Sequence, residues 1–568
     1  MKNKIIALTL IVFTALTACT DLDLAPLSEG SSENWYSNET EIEMAVNDLY
    51  RAFSWHSDGD SWTDDWTSRN SLTTITEGNV NGEWGTSRDL WKNSYKNIAR
   101  ANTILANLEE SKGKIADDIL NRFEAEAKFS RASMYAQLVA RFGDVVFYTE
   151  TMDLEEAFQT GRTDKATVLQ TIYADYDFAA QNLPTDWGND IKRATKGAAL
   201  GMKARIALYQ GDWATARAAA QECMTLGYSL YPSYRDLFLT KTKNPEEVLF
   251  SMPRSVELDV ALGSAYPIQA TIPRNAGGWG AYNPSWDLLA SYLCTDGLPI
   301  DESPLFNPQE PFENRDPRCN ATIVPFQTEH CGYMYQPHPD SMQVLNFTSG
   351  KYQFNNDTRS NKQYAAYNAL LWKKWVDEDW SDDKKADNDR FILRYADVLL
   401  MYAEASIELN QIDDSVLGAI NEVRERAYNG SGIDYPAVTT TDQTELRKIV
   451  RMERRMEFPW EGLRYMDLVR WRLAEKALTT NIYGMLDVSK KGGVATGPLI
   501  DKIVSQGLWF WPETPQIDED GLPDFTALDN AGFVKILAVR AWDNKQYLWP
   551  IPTKEILIND NLSQNDGY

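Results

Sequence analysis

Two alanine-rich segments joined by a Gly-Asp turn constrain this chain more than any other feature. Thr195-Lys-Gly-Ala-Ala-Leu-Gly-Met-Lys-Ala-Arg-Ile-Ala-Leu-Tyr209 runs through Gln210-Gly-Asp212 into Trp213-Ala-Thr-Ala-Arg-Ala-Ala-Ala-Gln-Glu-Cys-Met224. Small residues at this density let two helices approach closely, so the stretch predicts a helical hairpin of tetratricopeptide type. The same logic recurs at 392–428, where Ile392, Ala396, Leu399, Ala403 and Ile407 form one apolar stripe and 415–428 supplies the partner helix. Upstream, Ala125, Phe129, Ala132, Ala136 and Val139 recur at spacing 4-3-4-3, and Leu90, Ile98, Ala101, Leu105 and Leu108 share a similar face. The pairs are too degenerate for a regular tetratricopeptide array and read as separate helical hairpins.

Residues 19–240 therefore read as a mostly helical region. Between 241 and 390 the periodicity fades while Pro, Gly and aromatic residues increase. Phrases such as Tyr282-Asn-Pro-Ser-Trp286, Cys294-Thr-Asp-Gly-Leu-Pro299 and Asn314-Arg-Asp-Pro-Arg318 predict turns, loops and short strands. Helix returns at 390–428 and 441–476 within a third region, 391–568, whose later part is mixed. The expected fold is mostly α: a helical scaffold carrying a large irregular half. Irregular segments this long are usually functional.

The first 18 residues read as an address. Lys2 and Lys4 precede an apolar run from Ile5 to Leu16, which is too short to span a bilayer as a helix. Leu16-Thr-Ala-Cys19 resembles a bacterial lipobox, so 1–18 is expected to be a signal peptide and Cys19 the acylated first residue of an outer-membrane lipoprotein. No later stretch is apolar for long enough to cross a membrane. The chain carries 56 Lys+Arg against 82 Asp+Glu, a formal charge of −26, and loses two more lysines with the signal. That balance argues against nucleic acid, which demands a basic surface.

Composition also limits the chemistry. His56, His330 and His338 are far apart, and no nucleophile-elbow, zincin or P-loop signature occurs. Cys223, Cys294, Cys319 and Cys331 make no C-x-x-C, so no zinc framework is visible. Cys319 and Cys331 could pair in an oxidising compartment or stay reduced and buried. Two acidic runs, Asp58-Gly-Asp60 with Asp64-Asp65 and Asp377-Glu-Asp379 with Asp382-Asp383, could hold Ca²⁺, although neither fits an EF-hand loop. A solvated loop is the simpler reading of both, and no metal or cofactor is expected.

Several blocks together resemble one family, the SusD/RagB outer-membrane nutrient-binding lipoproteins. They run in order along the chain: Leu24-Ala-Pro26; Tyr95-Lys-Asn-Ile-Ala-Arg-Ala-Asn102; Ala125 to Gly143-Asp144; Ala194–Gly211; Leu393-Arg-Tyr-Ala-Asp-Val-Leu-Leu-Met-Tyr-Ala-Glu-Ala405; Glu453-Arg-Arg-Met-Glu-Phe458; Glu461-Gly-Leu-Arg-Tyr-Met-Asp-Leu-Val-Arg-Trp471; Leu548-Trp-Pro-Ile-Pro552; and Asn561–Tyr568. The resemblance implies a SusD-like fold built on four tetratricopeptide-type units, with the ligand site in the irregular half. It implies a binding protein, usually for oligosaccharide, that acts as a lid over a TonB-dependent barrel of SusC type. Asp21 and Asp23, just after Cys19, are similar to the surface-export signal of Bacteroidetes lipoproteins.

Aromatic residues carry the ligand expectation. The chain has 19 Trp, and an indole offers a flat apolar face with a polar N–H that suits stacking on a pyranose. Trp213, Trp372, Trp471 and Trp549 lie in periodic or family-like segments and are expected in the core. Trp55, Trp62, Trp66 and Trp84 sit among Ser, Asp, Thr, Asn and Gly, and Trp279 stands between glycines in 274–286. These two loops fall roughly where family members carry ligand-contacting loops. Trp84 and Trp279 are expected as stacking platforms, Trp62, Trp66 and Tyr282 as flanking rings, and Asn81, Arg88 and Asn275 as hydrogen-bonding partners. Each ring could equally plug its loop to the body. The net charge favours a neutral glycan over a polyanionic one. Peptide uptake of RagB type, a surface glycoside hydrolase using two of the many carboxylates, and a purely protein-binding scaffold are the alternatives.

Overall fold

The computed structural model describes residues 35–188, 193–262 and 265–568. The expected signal peptide, Cys19, Asp21, Asp23 and Leu24–Pro26 lie outside them. The helical body comprises α1 (Glu39–Asn47), α2 (Gly85–Glu110), α3 (Asp117–Phe142), α4 (Lys165–Asn182), α5 (Lys196–Gln210) and α6 (Trp213–Met224). Next come a short α7 (Ala265–Thr271) and a second helical group: α8 (Tyr395–Glu408), α9 (Asp414–Tyr428), α10 (Gln443–Glu457) and α11 (Arg464–Arg470). Packing runs along this series: α2 on α3, α3 on α4, α4 on α5, α5 on α6, α6 on α8, and α8 on both α9 and α10. That is the stacked-hairpin arrangement expected of the alanine-rich segments.

The α5–α6 hairpin shows why. The Thr195 hydroxyl accepts from the Ala198 N–H and caps α5. Gly211 ends the helix in the left-handed region at φ +75°, and the Asp212 carboxylate caps α6 by accepting from Thr215. Within α5, a Cβ at Gly201 would collide with Leu393, so the small residue sets how closely the strand before α8 approaches. Helix α8 is buried from Tyr395 to Ile407, which explains why it is apolar on nearly every side.

Strands are short. β1 (Trp66–Ser68) pairs antiparallel with β3 (Tyr282–Pro284), in the register Trp66↔Pro284 and Ser68↔Tyr282. β2 (Val248–Met252) pairs antiparallel with β8 (Arg390–Arg394). β4 (Thr328–His330), β5 (Tyr333–Tyr335), β6 (Gln343–Asn346) and β7 (Lys351–Phe354) form a four-stranded antiparallel meander, and β9 (Asn481–Met485) pairs with β10 (Val534–Val539). The largest core draws on residues of both 19–240 and 391–568, among them Phe129, Leu200, Leu399 and Leu468. A second core lies under the irregular half around Trp286, Trp372, Phe510 and Trp511. Among the described residues no helix is long and apolar enough to cross a membrane.

Two details differ from expectation, Trp55 and the acidic run at 58–65, and the cysteines follow one of the two readings left open. Trp55, placed by sequence in a displayed loop, is 2% exposed and packs on Phe129 and Phe250. Cys319 and Cys331 are buried free thiols, as are Cys223 and Cys294. The acidic run at 58–65 is neither solvated nor arranged as a calcium loop. Asp58 pairs with Arg141, Asp64 with Arg455 and Arg464, and Asp65 with Arg455, all from within the body. Guanidiniums supply the positive charge that a buried carboxylate needs. In the second run, Asp377 accepts from Thr240 and Asn388, while Asp379, Asp382 and Asp383 stay exposed.

Candidate functional site

The turn after α7 presents Trp279. A Cβ at Gly278 would collide with the Ile272 carbonyl, so only glycine allows the chain to double back there. The Trp279 N–H donates to the Gln269 carbonyl at 2.5 Å, and the residue remains 36% exposed. Its carbonyl accepts from Arg69 Nη2 at 3.3 Å and Arg274 Nη1 at 3.2 Å. Arg69 also donates to the Tyr364 carbonyl and lies 5.7 Å from the centroid of that ring, which is half exposed. Asn275 fastens this turn to the end of β7. Its Nδ2 donates to the Phe354 carbonyl at 2.9 Å, and its Oδ1 accepts from the Asn356 N–H at 2.6 Å. The Phe354 ring is itself half exposed, with Lys362 and Lys490 nearby at 5.9 and 5.5 Å from its centroid.

Beyond β3 lies a cavity of about 350 Å³ with aromatic walls: Trp66, Tyr282, Trp375, Trp380, Phe391 and Trp460. Trp66 is 8% exposed and lies 5.1–5.5 Å, centroid to centroid, from Trp372, Tyr282 and Trp460. Among the polar lining residues are Asp60 and Asn388. Four buried atoms of these walls have no hydrogen-bond partner among the described residues: Asp60 Oδ1, Asn388 Oδ1, Trp66 Nε1 and Trp380 Nε1. Burial, and then the charge of Asp65, push the Asp60 carboxyl up to about 7. Two donors and two acceptors between indole walls match a ligand that has apolar faces and hydroxyls at its edge.

The eight residues expected at the site do not form one cluster. Trp66 and Tyr282 line the cavity, and Trp279 and Asn275 belong to the exposed turn, with Asn275 committed to backbone bonds. Trp62 and Trp84 pack in a separate aromatic group with Tyr465 and Trp549. The Trp84 ring lies 5.6 Å from Trp62 and 4.6 Å from Trp549, edge to face in both cases. Asn81 is exposed and closes a local turn by accepting from the Glu83 N–H, and Arg88 is an exposed α2 residue beside Asp89. Sequence reasoning missed Arg69, Tyr364, Trp375, Trp380 and Trp460. Tyr364 was findable, because Asn361-Lys-Gln-Tyr364 shows the same aromatic-among-polar pattern as the two chosen loops. Among the described residues, His330, Cys331 and Glu378 bring three potential metal-ligand atoms within 4.8 Å of one another.

Comparison with known proteins agrees with this architecture. Residues 246–568 match the SusD family, and residues 25–208 match a family described as starch-binding and associating with the outer membrane. A SusD-like protein of Formosa agariphila is 28% identical over 393 residues, 67% of this chain and 70% of that one. A second SusD-like protein of the same organism is 24% identical over the full length of both. The crystal structure of a SusD-like carbohydrate-binding protein from Bacteroides fragilis is similar at a TM-score of 0.74 with 27% identity, covering 93% of this chain and all of that one. With more than half of its length matched, and with the stacked helical hairpins and irregular half in place, the chain belongs to the SusD family.

Proposed function

We propose that the protein captures a glycan at the cell surface without cleaving it, and delivers it to a SusC-type TonB-dependent barrel. The observation that carries this reading is the exposed Trp279 indole on a turn whose carbonyl is held by Arg69 and Arg274, next to the half-exposed Tyr364 ring. An indole face attracts the slightly positive C–H face of a pyranose, and nearby donors then select the hydroxyl pattern. The aromatic cavity behind β3, with its unpartnered donors and acceptors, supports a second contact of the same chemical kind. Modest affinity at each contact suffices, because a polymer engages many tethered copies at once. Acylation at Cys19 would supply the tether, and binding by stacking requires no cofactor.

Affinity electrophoresis of the soluble chain against a polysaccharide panel tests the reading. At least one glycan should retard the protein, Trp279→Ala should remove the retardation, and incubation should release no reducing sugar. Product release would replace capture with hydrolysis. A panel without any retarded member would remove the glycan reading.

A further inference from the structure

Arg69 and Arg274 are placed in a way that the Trp279 turn alone does not require. Both guanidiniums donate to one carbonyl oxygen, that of Trp279, at 3.3 and 3.2 Å. A carbonyl offers only partial negative charge, and two full positive charges converge on it. Among the described residues, no ion pair joins either guanidinium to a carboxylate, and the buried Nε of each has no acceptor. Arg69 and Arg274 act on each other as like charges. Asp357 is the acid that acts on Arg274, but its two oxygens already accept the backbone N–H groups of Arg274 and Asn275.

The same face holds more positive charge. Lys362 and Lys490 flank the exposed Phe354 ring, and Lys384 Nζ reaches the Ala276 carbonyl at 3.5 Å. Among the described residues, none of these three ammonium groups is in an ion pair with a carboxylate. By contrast, Arg359 and Lys535 both pair with the single carboxylate of Asp487. In a chain with a formal charge of −26, five cations without a carboxylate in ion-pair contact gather at this turn and around the exposed Tyr364 and Phe354 rings. Repulsion from the distant acids is screened over about 8 Å in physiological salt, so the local groups decide what binds.

We propose that the Trp279 face takes an acidic glycan, with a sugar ring stacked on the exposed aromatics and its carboxylate or sulfate group accepting from Arg69 and Arg274. This rests on the glycan-capture reading and replaces the neutral ligand that net charge alone suggests. Guanidinium forks match the planar geometry of a carboxylate and the oxygens of a sulfate, and such charge-assisted bonds are stronger than neutral ones.

The test uses pairs of polymers that share a backbone and differ in charge: polygalacturonate against its fully methyl-esterified form, and dextran sulfate against dextran. The acidic member of one pair should retard the protein and its neutral partner should not, which also separates a uronate from a sulfate requirement. Raising NaCl from about 50 to about 500 mM should weaken that binding several-fold. Arg69→Gln with Arg274→Gln should weaken it by about tenfold or more. Because these two arginines also hold the turn, Lys362→Gln with Lys490→Gln serves as a second variant that leaves the turn intact, and it should weaken binding by a smaller factor. The proposal is overturned if a neutral glycan is held as well as or better than its acidic partner in a Trp279-dependent way, a result that leaves glycan capture standing. It is also overturned if acidic binding ignores salt and both pairs of substitutions. Retention of no polymer at all would instead remove the glycan reading itself, and this proposal with it.

Discussion

Arg394 and Glu457 form a 2.7 Å ion pair in which neither side chain is more than 2% exposed. Glu457 also accepts from Arg318 and Arg426, while Arg394 also reaches Glu247 and Glu461. The network ties the last turn of α10 to the start of α8, and through Arg318 and Glu247 to the irregular half. Burial alone would raise the Glu457 carboxyl, but Arg426, Arg394 and Arg318 outweigh it and bring it down to about 2. Removing one member of such a group leaves buried charge uncompensated. Glu457→Gln and Arg394→Met should each cost about 3–5 kcal/mol. Urea titration should show a lower midpoint at unchanged slope. A loss below about 1 kcal/mol would mean that water or rearrangement replaces the missing partner.

The pH profile of stability should fall on both sides for different reasons. Glu457 has a folded value near 2, below the ordinary value near 4.3, so its contribution is present above about 4.3 and lost as pH falls towards 2. Burial would raise Asp397 too, but Arg205 and Arg454 bring it to about 2, and it adds to the same acid arm. Asp60 has the opposite sign. Its folded value near 7 lies above the ordinary value near 3.9, so its contribution is full below about 4 and is lost as pH rises through 7. Asp60→Asn should therefore match the parent protein near pH 4 and exceed it at pH 8 by on the order of a few kcal/mol. Chemical denaturation at the two pH values reads the difference. Equal offsets at both would show that Asp60 does not titrate in this window.

Four thiols should be silent in the native state. Burial pushes Cys223 and Cys319 up to about 12 and raises Cys294 and Cys331 as well. A chain carrying Cys19→Ser should react with Ellman's reagent at pH 8 only after denaturation, and then with four equivalents and no prior reduction. Fewer than four would indicate a disulfide, with Cys319 and Cys331 the first pair to examine.

Local features were the legible ones. Thr195, Gly211 and Asp212 make the α5–α6 hairpin readable because caps and turns act within a few residues. The family-like phrases at 393–405 and 453–471 located α8, α10 and α11, but not their work. Arg394 meets Glu247 at a separation of 147 residues, and Arg455 meets Asp64 at 391. That distance is why the acidic run at 58–65 read as a surface loop. The same limit applied to the aromatics. Glycines on both sides signalled the exposure of Trp279 correctly, whereas nothing near Trp84 in sequence announces that Trp549, from the far end of the chain, covers it.

Trp84 and Trp279 should accordingly separate stability from binding. Trp84 contacts Trp62 and Trp549 edge to face and adjoins the main core, so Trp84→Ala opens a hole that the neighbouring rings cannot fill. Large-to-small changes of an aromatic residue in a packed site cost about 3–5 kcal/mol, and the partial exposure of Trp84 places this one near the lower end. Trp279 is 36% exposed on a turn fixed by backbone bonds, so Trp279→Ala should cost less than Trp84→Ala, on the order of 1–2 kcal/mol. Binding should follow the reverse order, with Trp279→Ala removing glycan retention and Trp84→Ala leaving the affinity of the folded protein unchanged. Thermal unfolding and affinity electrophoresis on the same two proteins decide the matter. If Trp84→Ala left the melting temperature alone and abolished retention, Trp84 would be the platform and the Trp62–Trp84–Trp549 group would be the ligand-binding surface.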